Sequence, residues 1–250
     1  MRFSWMLSAL FLKASVLVLA VVLVSGDASA TPSDRVEEAE SRQRKTIQSL
    51  LQRAGAANPP REVFIRAFKK EAELELWARS NDGAEHVLIE RFPLCKMSGT
   101  LGPKSRQGDK QIPEGFYTVD RLNPRSRFHL SLGIDYPNAL DTARARGKDP
   151  GDNIFIHGEC FSVGCLSIGN DAIERVYLIA SQAIALRREA IPVHIFPCRF
   201  GDPTCEEAMR AVESRWPSFY RALREGYAAF EAEKKPPSME ASASGYRRKE

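Results

Sequence analysis

The 250-residue sequence has no internal repeat and no block of basic residues, and it has no unbroken apolar run of the ~20 residues that a membrane-spanning helix needs. Lysine and arginine number 36 against 32 aspartate and glutamate, a formal charge of only +4, with the two signs mixed along the chain. That balance excludes the clustered positive footprint of a nucleic-acid binder. It is compatible with an anionic polymer as partner. Histidine occurs four times and cysteine five times, without the paired-ligand spacing of a structural zinc site. Neither a metal nor a cofactor is expected.

The apolar run that is present, residues 14–24 with Ser15 as its one polar residue, is about half the spanning length. Arg2 and Lys13 flank a positive n-region, and Ala28-Ser29-Ala30 offers a small-x-small cleavage site. The pattern predicts a secretory signal peptide over residues 1–30, cleaved near Ala30, so that the protein is exported with no permanent membrane span. Joining residues 7–12 to the run across Lys13 gives the alternative, an uncleaved anchor. Cleavage would delete Arg2, Lys13 and Asp27 and leave a charge of about +3. In an oxidising compartment, five cysteines leave at least one unpaired. Cys198 and Cys205 bracket a short segment containing Gly201 and Pro203, which suits a local disulfide. If Cys165 is the free thiol, Cys95 and Cys160 form the second pair by elimination, and sequence proves neither pairing.

The most informative stretch is HGECFSVGC, residues 157–165, which sets His157 and Cys165 eight positions apart across a glycine-punctuated loop. Residues 153–156 read as a buried strand delivering His157. From Asn170, Ile173, Val176, Tyr177, Ala180, Ala183 and Ile184 mark one face of a helix, with Asn170 or Asp171 as its cap and Arg187 and Arg188 at its negative end. A free thiol has a pKa of about 8.5, so a cysteine nucleophile needs a base such as His157 to take its proton and later return it to a leaving amine. The backbone N–H groups of Gly164 and Cys165 are candidate oxyanion donors, with the Ser162 hydroxyl as helper and the Gly158 carbonyl as an orienting acceptor for the imidazole. Alone, the spacing is equally that of a buried thiol and a structural histidine.

A second block lies upstream. Lys96-Met97-Ser98-Gly99 leads through Gly102-Pro103-Lys104 to residues 108–117, which contain Pro113-x-Gly115-x-Tyr117. His-Gly followed by Ser-x-Gly-Cys, together with this Pro-x-Gly-x-Tyr element, resembles the L,D-transpeptidase catalytic (YkuD) domain in its YafK-like branch, over residues 62–197. The resemblance implies a mainly β fold, an antiparallel sandwich or barrel with packed helices. It also implies an exported cysteine acyltransferase that forms a thioester with a peptidoglycan stem peptide and passes it to an amine. The alternative is a hydrolase of the same family that cleaves cross-links or releases a wall-attached protein. A silent wall-binding module would not need the intact Cys165 and His157. Two positions depart from the family pattern. Val163 stands where many members have a second histidine, and Ser167 stands where many have an arginine thought to hold substrate carboxylate. Lys96, Lys104 and Arg106 are candidates to replace that arginine, and Tyr136 is a candidate to line the cleft.

Organisation is expected as a helical arm over residues 31–60, a catalytic domain over 61–198, C-terminal helices over 199–234 and a disordered tail over 235–250. Strands are predicted at residues 63–68, 73–79, 86–92, 116–122, 127–132, 154–157 and 193–196, with a turn at Asn81-Asp82-Gly83. Ala208, Val212, Trp216, Phe219, Tyr220, Leu223, Tyr227 and Phe230 form a helical stripe that Pro217 divides, more suited to packing than to glycan contact. His86, His129 and His194 read as structural histidines of strand-like segments, with His129 a candidate neighbour of the site.

Overall fold

The computed structural model describes Met1 and residues 32–249. The signal peptide expected over residues 1–30, with its cleavage site, lies outside the described residues. Among the described residues no helix is long and apolar enough to cross a membrane.

The chain opens with helix α1 (Pro32–Ala54), followed by strands β1 (Phe64–Phe68), β2 (Glu73–Arg79), β3 (His86–Pro93), β4 (Gly115–Asn123) and β5 (Ser131–Ile134). A short helix, α2 (Ala139–Arg144), precedes β6 (Phe155–His157), β7 (Leu166–Ser167), α3 (Asn170–Arg187) and β8 (Pro192–Phe196). Helices α4 (Pro203–Glu213) and α5 (Pro217–Glu233) lead to a hairpin of β9 (Met239–Ser242) and β10 (Gly245–Arg248). The first eight strands make one sheet in the order β3-β2-β1-β8-β4-β5-β6-β7, a mixed sheet curled into a half-barrel. Most pairings are antiparallel, as expected, while β1/β8 and β6/β7 are parallel.

Both faces of the centre are covered, which is why β1 reads as an unbroken apolar run apart from one arginine. Ile65 and Ala67 face the core under α1 and α3. Phe64 and Phe68 turn the other way, Phe64 against Phe230 of α5 at 4.8 Å and Phe68 into a cluster with Phe116, Phe196, Phe219, Tyr220 and Leu223. The aromatic stripe of α4 and α5 is thus a packing face. Its start is pinned by the Cys198–Cys205 disulfide and by Asp202, whose carboxylate accepts from the Thr204 and Cys205 N–H groups ahead of Pro203. The upstream Pro-x-Gly-x-Tyr block is anchored to these helices: Glu114 accepts from the Tyr220 hydroxyl at 2.7 Å and pairs with buried Lys69 at 2.9 Å.

Three expectations need correction. The tail expected over residues 235–250 is, over the described residues 235–249, not disordered, because β9 and β10 pair and the Tyr246 hydroxyl accepts from Asn138 Nδ2 and the Phe116 N–H. The strand expected over 127–132 begins only at Ser131, since the Arg35 guanidinium of α1 donates to the carbonyls of Pro124, Ser126 and His129 and holds that stretch as a loop. Neither Asn170 nor Asp171 caps α3. The cap is Gly169, and Asn170 Oδ1 accepts instead from the Glu159 N–H at 2.8 Å.

His194 is sealed between Phe64 and Phe116, with ring centroids 4.7 Å away on each side, and its Nδ1 has no partner among the described residues. Burial lowers its pKa to about 3, well below the ~6.5 of an unfolded histidine. The unfolded chain therefore binds the extra proton, and His194 costs stability as pH falls below 6.5, by about 1.4 kcal/mol per pH unit. Asp141, raised by burial to about 6, acts in the opposite sense between pH ~4 and ~6. The comparison of His194→Leu with the parent cancels that term. Urea midpoints should show a loss between pH 6.5 and 4.5 that is smaller in the variant by about 2–3 kcal/mol; an equal loss in both would contradict a neutral buried imidazole.

Candidate active site

The site lies at the β6/β7 end of the sheet. Ile156 pairs with Leu166 and His157 with Ser167 in parallel register, so Cys165, one residue before β7, stands level with Phe155. Extending that register by one residue sets the Cα atoms of Cys165 and His157 about 8 Å apart, for a strand spacing of ~4.8 Å and a rise of ~3.3 Å per residue. Cys165 is half-buried and is the free cysteine, the other four being bonded as Cys95–Cys160 and Cys198–Cys205. The bonding of Cys160 also removes it from any metal set with His157 and Cys165.

His157 is buried, and the Gly158 carbonyl lies 2.5 Å from its Nδ1. A carbonyl can only accept, so Nδ1 carries the proton and Nε2 offers its lone pair. Phe128 stacks on the imidazole at 4.6 Å and 30°, and Phe161 lies beyond Phe128 at 6.2 Å. Burial pulls the His157 pKa down, against the pull of the Gly158 carbonyl. Burial likewise pushes the Cys165 thiol up, with the Phe155 N–H and the charge of Lys104 acting in the opposite direction. At rest the thiol and the imidazole are therefore both neutral, and the thiol is deprotonated only as attack proceeds. Alkylation of Cys165 by iodoacetamide, followed by mass, should accordingly climb from pH 7 to beyond pH 9. A rate already on a plateau below pH 7, the behaviour of a preformed thiolate–imidazolium pair, would contradict this.

The loop around the thiol is held from the side by residues 95–98. Cys95 bonds Cys160, the Cys95 N–H donates to the Ser167 carbonyl, the Ser167 hydroxyl donates to the Lys96 carbonyl, and the Gly164 N–H donates to Ser98 Oγ at 2.7 Å. Gly164 has φ +108°, and a Cβ there would come within 3.1 Å of the Gln111 carbonyl, so only glycine suits the position. With its N–H used by Ser98, Gly164 serves loop geometry. Ser162 does the same, its hydroxyl donating to the Cys165 carbonyl at 2.6 Å. The Cys165 N–H is the candidate oxyanion donor with no partner among the described residues.

The candidate cations separate by burial. Lys104 is buried, bonded to Asp109 at 2.7 Å and to the Arg106 carbonyl, with its ammonium 5.9 Å from the Tyr136 ring. Tyr136 is buried and donates to the Pro150 carbonyl. Lys96 and Arg106 are exposed. His129 is paired through Nε2 with Glu174 at 2.7 Å. Sequence reasoning missed Phe128, the loop clamp Ser98 and Arg121. Their roles depend on tertiary contacts from outside the HGECFSVGC stretch.

No family model matches the chain. It is 37% identical over 179 residues, 71% of this chain and 70% of the relative, to "Putative L,D-transpeptidase YafK" of Escherichia coli (strain K12), and equally to the protein of that name in Escherichia coli O157:H7. Among solved structures, the helical cell shape determining protein Pgp2 from Campylobacter jejuni is similar at TM-score 0.44 and 17% identity, over 79% of this chain and 80% of that one. Bd1075 from Bdellovibrio bacteriovorus is similar at TM-score 0.39 and 20% identity, over 70% of this chain and 64% of that one.

Proposed function

Because the chain belongs to the L,D-transpeptidase family of the YafK proteins, we propose that it is an exported, periplasmic peptidoglycan acyltransferase with Cys165 as nucleophile and His157 as base. The observation that supports this reading is a lone free thiol just before β7, beside the strand that carries an imidazole whose Nδ1 is engaged by Gly158, leaving Nε2 as the proton acceptor. Residues 61–198 supply the chemistry. The arm over 31–60 and the helices over 199–234 support it, and residues 1–30 direct export.

In the first half-reaction, His157 Nε2 takes the thiol proton as Cys165 Sγ attacks the carbonyl that follows the L-centre of diaminopimelate in a stem peptide. The Cys165 N–H meets the oxyanion. The C–N bond breaks, the proton passes from His157 to the departing amine, and a thioester remains. An acceptor amine then attacks the thioester with His157 again as base, forming a new amide and restoring the thiol. Lys104, Lys96, Arg106 and Tyr136 are the candidate cleft groups for the donor.

The test is to incubate the mature protein with defined tetrapeptide muropeptides and follow products by mass. Cross-linked dimers formed with loss of the terminal D-alanine support transfer. Conversion of cross-linked or protein-linked material to monomers supports the hydrolytic alternative, and no turnover of either substrate by folded protein sinks the proposal.

A further inference from the structure

We infer that Arg121 is the residue that binds a carboxylate of the acyl donor beside Cys165, in place of the family arginine that Ser167 replaces. The inference rests on the peptidoglycan reading above. Its basis is one row across the sheet: Arg121 on β4 pairs with Gly133 on β5, Gly133 pairs with Phe155 on β6, and the next residue, Ile156, pairs with Leu166, the residue after Cys165. Directly opposed residues point to the same face, so Arg121 and Phe155 share a face with a gap at Gly133. Arg121 lies down through that gap. Its guanidinium carbon sits 4.7 Å from the centroid of the Phe155 ring, and its Nη2 donates to Asn153 Oδ1 at 3.0 Å.

The same two residues hold the thiol. The Asn153 carbonyl lies 3.8 Å from Cys165 Sγ, and the Phe155 N–H is directed at the sulfur. Arg121 therefore brings a cation from β4 to the two residues that meet the thiol. A Cβ at position 133 would come within 2.7 Å of Arg121 Cγ and 2.8 Å of its Nε, so the glycine is what lets the side chain lie flat. The guanidinium is available to a ligand. Its Nη1 pairs with Asp120 at 2.6 Å, but the side chains are 41% and 32% exposed, and such a surface pair is weak. An incoming carboxylate with the fork geometry that guanidinium favours can displace it. The flat apolar ring beneath and the neighbouring Asn153 amide complete a surface suited to a peptide carboxylate. Lys104, by contrast, is buried and committed to Asp109.

The experiment measures kcat and KM for two tetrapeptide donors, one with its free side-chain carboxylate and one with that group amidated. The parent should prefer the acid. Arg121→Ala should cut that preference by about tenfold, the order expected for loss of one charge-assisted hydrogen bond at a partly exposed site, and the change should appear in KM rather than kcat. Arg121→Lys should keep part of the preference, and Gly133→Ala, which crowds the Arg121 stem, should reduce it. An unchanged acid-to-amide ratio in folded Arg121→Ala overturns the assignment. Failure of the underlying reading is distinguishable, because it would show as full turnover by Cys165→Ala.

Discussion

Cys165→Ala should abolish turnover while leaving a folded protein. Removing the nucleophile of a covalent mechanism costs at least about 10⁴-fold in rate, since what remains is binding and oxyanion stabilisation alone. The fold should tolerate the change. Cys165 is half-buried and takes part in no disulfide, so truncation of its thiol should cost about 1 kcal/mol in stability. His157→Gln should lose less, about 10³-fold, because a base contributes through proton transfer rather than bond formation. Muropeptide turnover with a denaturation curve for each variant separates the two effects. A Cys165→Ala protein that turns over as well as the parent would remove the nucleophile assignment, and equal losses in stability would turn both residues into structural ones.

The two disulfides should prove unequal. Cys95–Cys160 closes a loop between residues 65 apart in sequence, and Cys198–Cys205 one between residues 7 apart. Loop-closure entropy then predicts a loss of about 4 kcal/mol for replacing the first pair by alanines and about 2.5 kcal/mol for the second. The first replacement should also impair activity at temperatures where the variant is folded. That disulfide ties residues 95–98 to the loop whose Gly164 N–H rests on Ser98 Oγ, and whose end supplies the thiol. The second pair staples the entry to α4, away from the thiol, and its loss should leave kcat close to that of the parent. Chemical denaturation under non-reducing conditions and turnover of both double variants make the comparison. Equal costs, or full activity without Cys95–Cys160, would contradict the clamp.

Much of this was legible because the signals were local. β2 spans residues 73–79 as predicted, though both of its faces are buried, and Asn81-Asp82-Gly83 turns as its composition requires, with Gly83 at φ +74°. The HGECFSVGC stretch made Cys165 and His157 the candidate pair without any tertiary information, and Cys165 is the cysteine that the two disulfides leave free. What failed was tertiary. Asn170 has the chemistry of a cap, but the Glu159 N–H of the active loop competes for its oxygen. Residues 235–250 have the composition of a tail, yet Tyr246 and the Arg248–Glu233 pair hold the hairpin onto the domain. Gly164 and Ser162 looked like oxyanion partners, and Ser98 and the Cys165 carbonyl already occupy their hydrogen bonds. Arg121 was invisible because its position depends on a glycine on the next strand. Only the register shows that gap.

The most direct test of the central claim is to trap the covalent intermediate. Parent protein is mixed with a tetrapeptide donor in the absence of an amine acceptor, quenched in acid and mapped by peptide mass. The account predicts a gain equal to the donor minus its terminal amino acid, confined to the peptide containing Cys165, labile to hydroxylamine and absent from Cys165→Ala. An adduct on any other residue, or one that persists in Cys165→Ala, would contradict it.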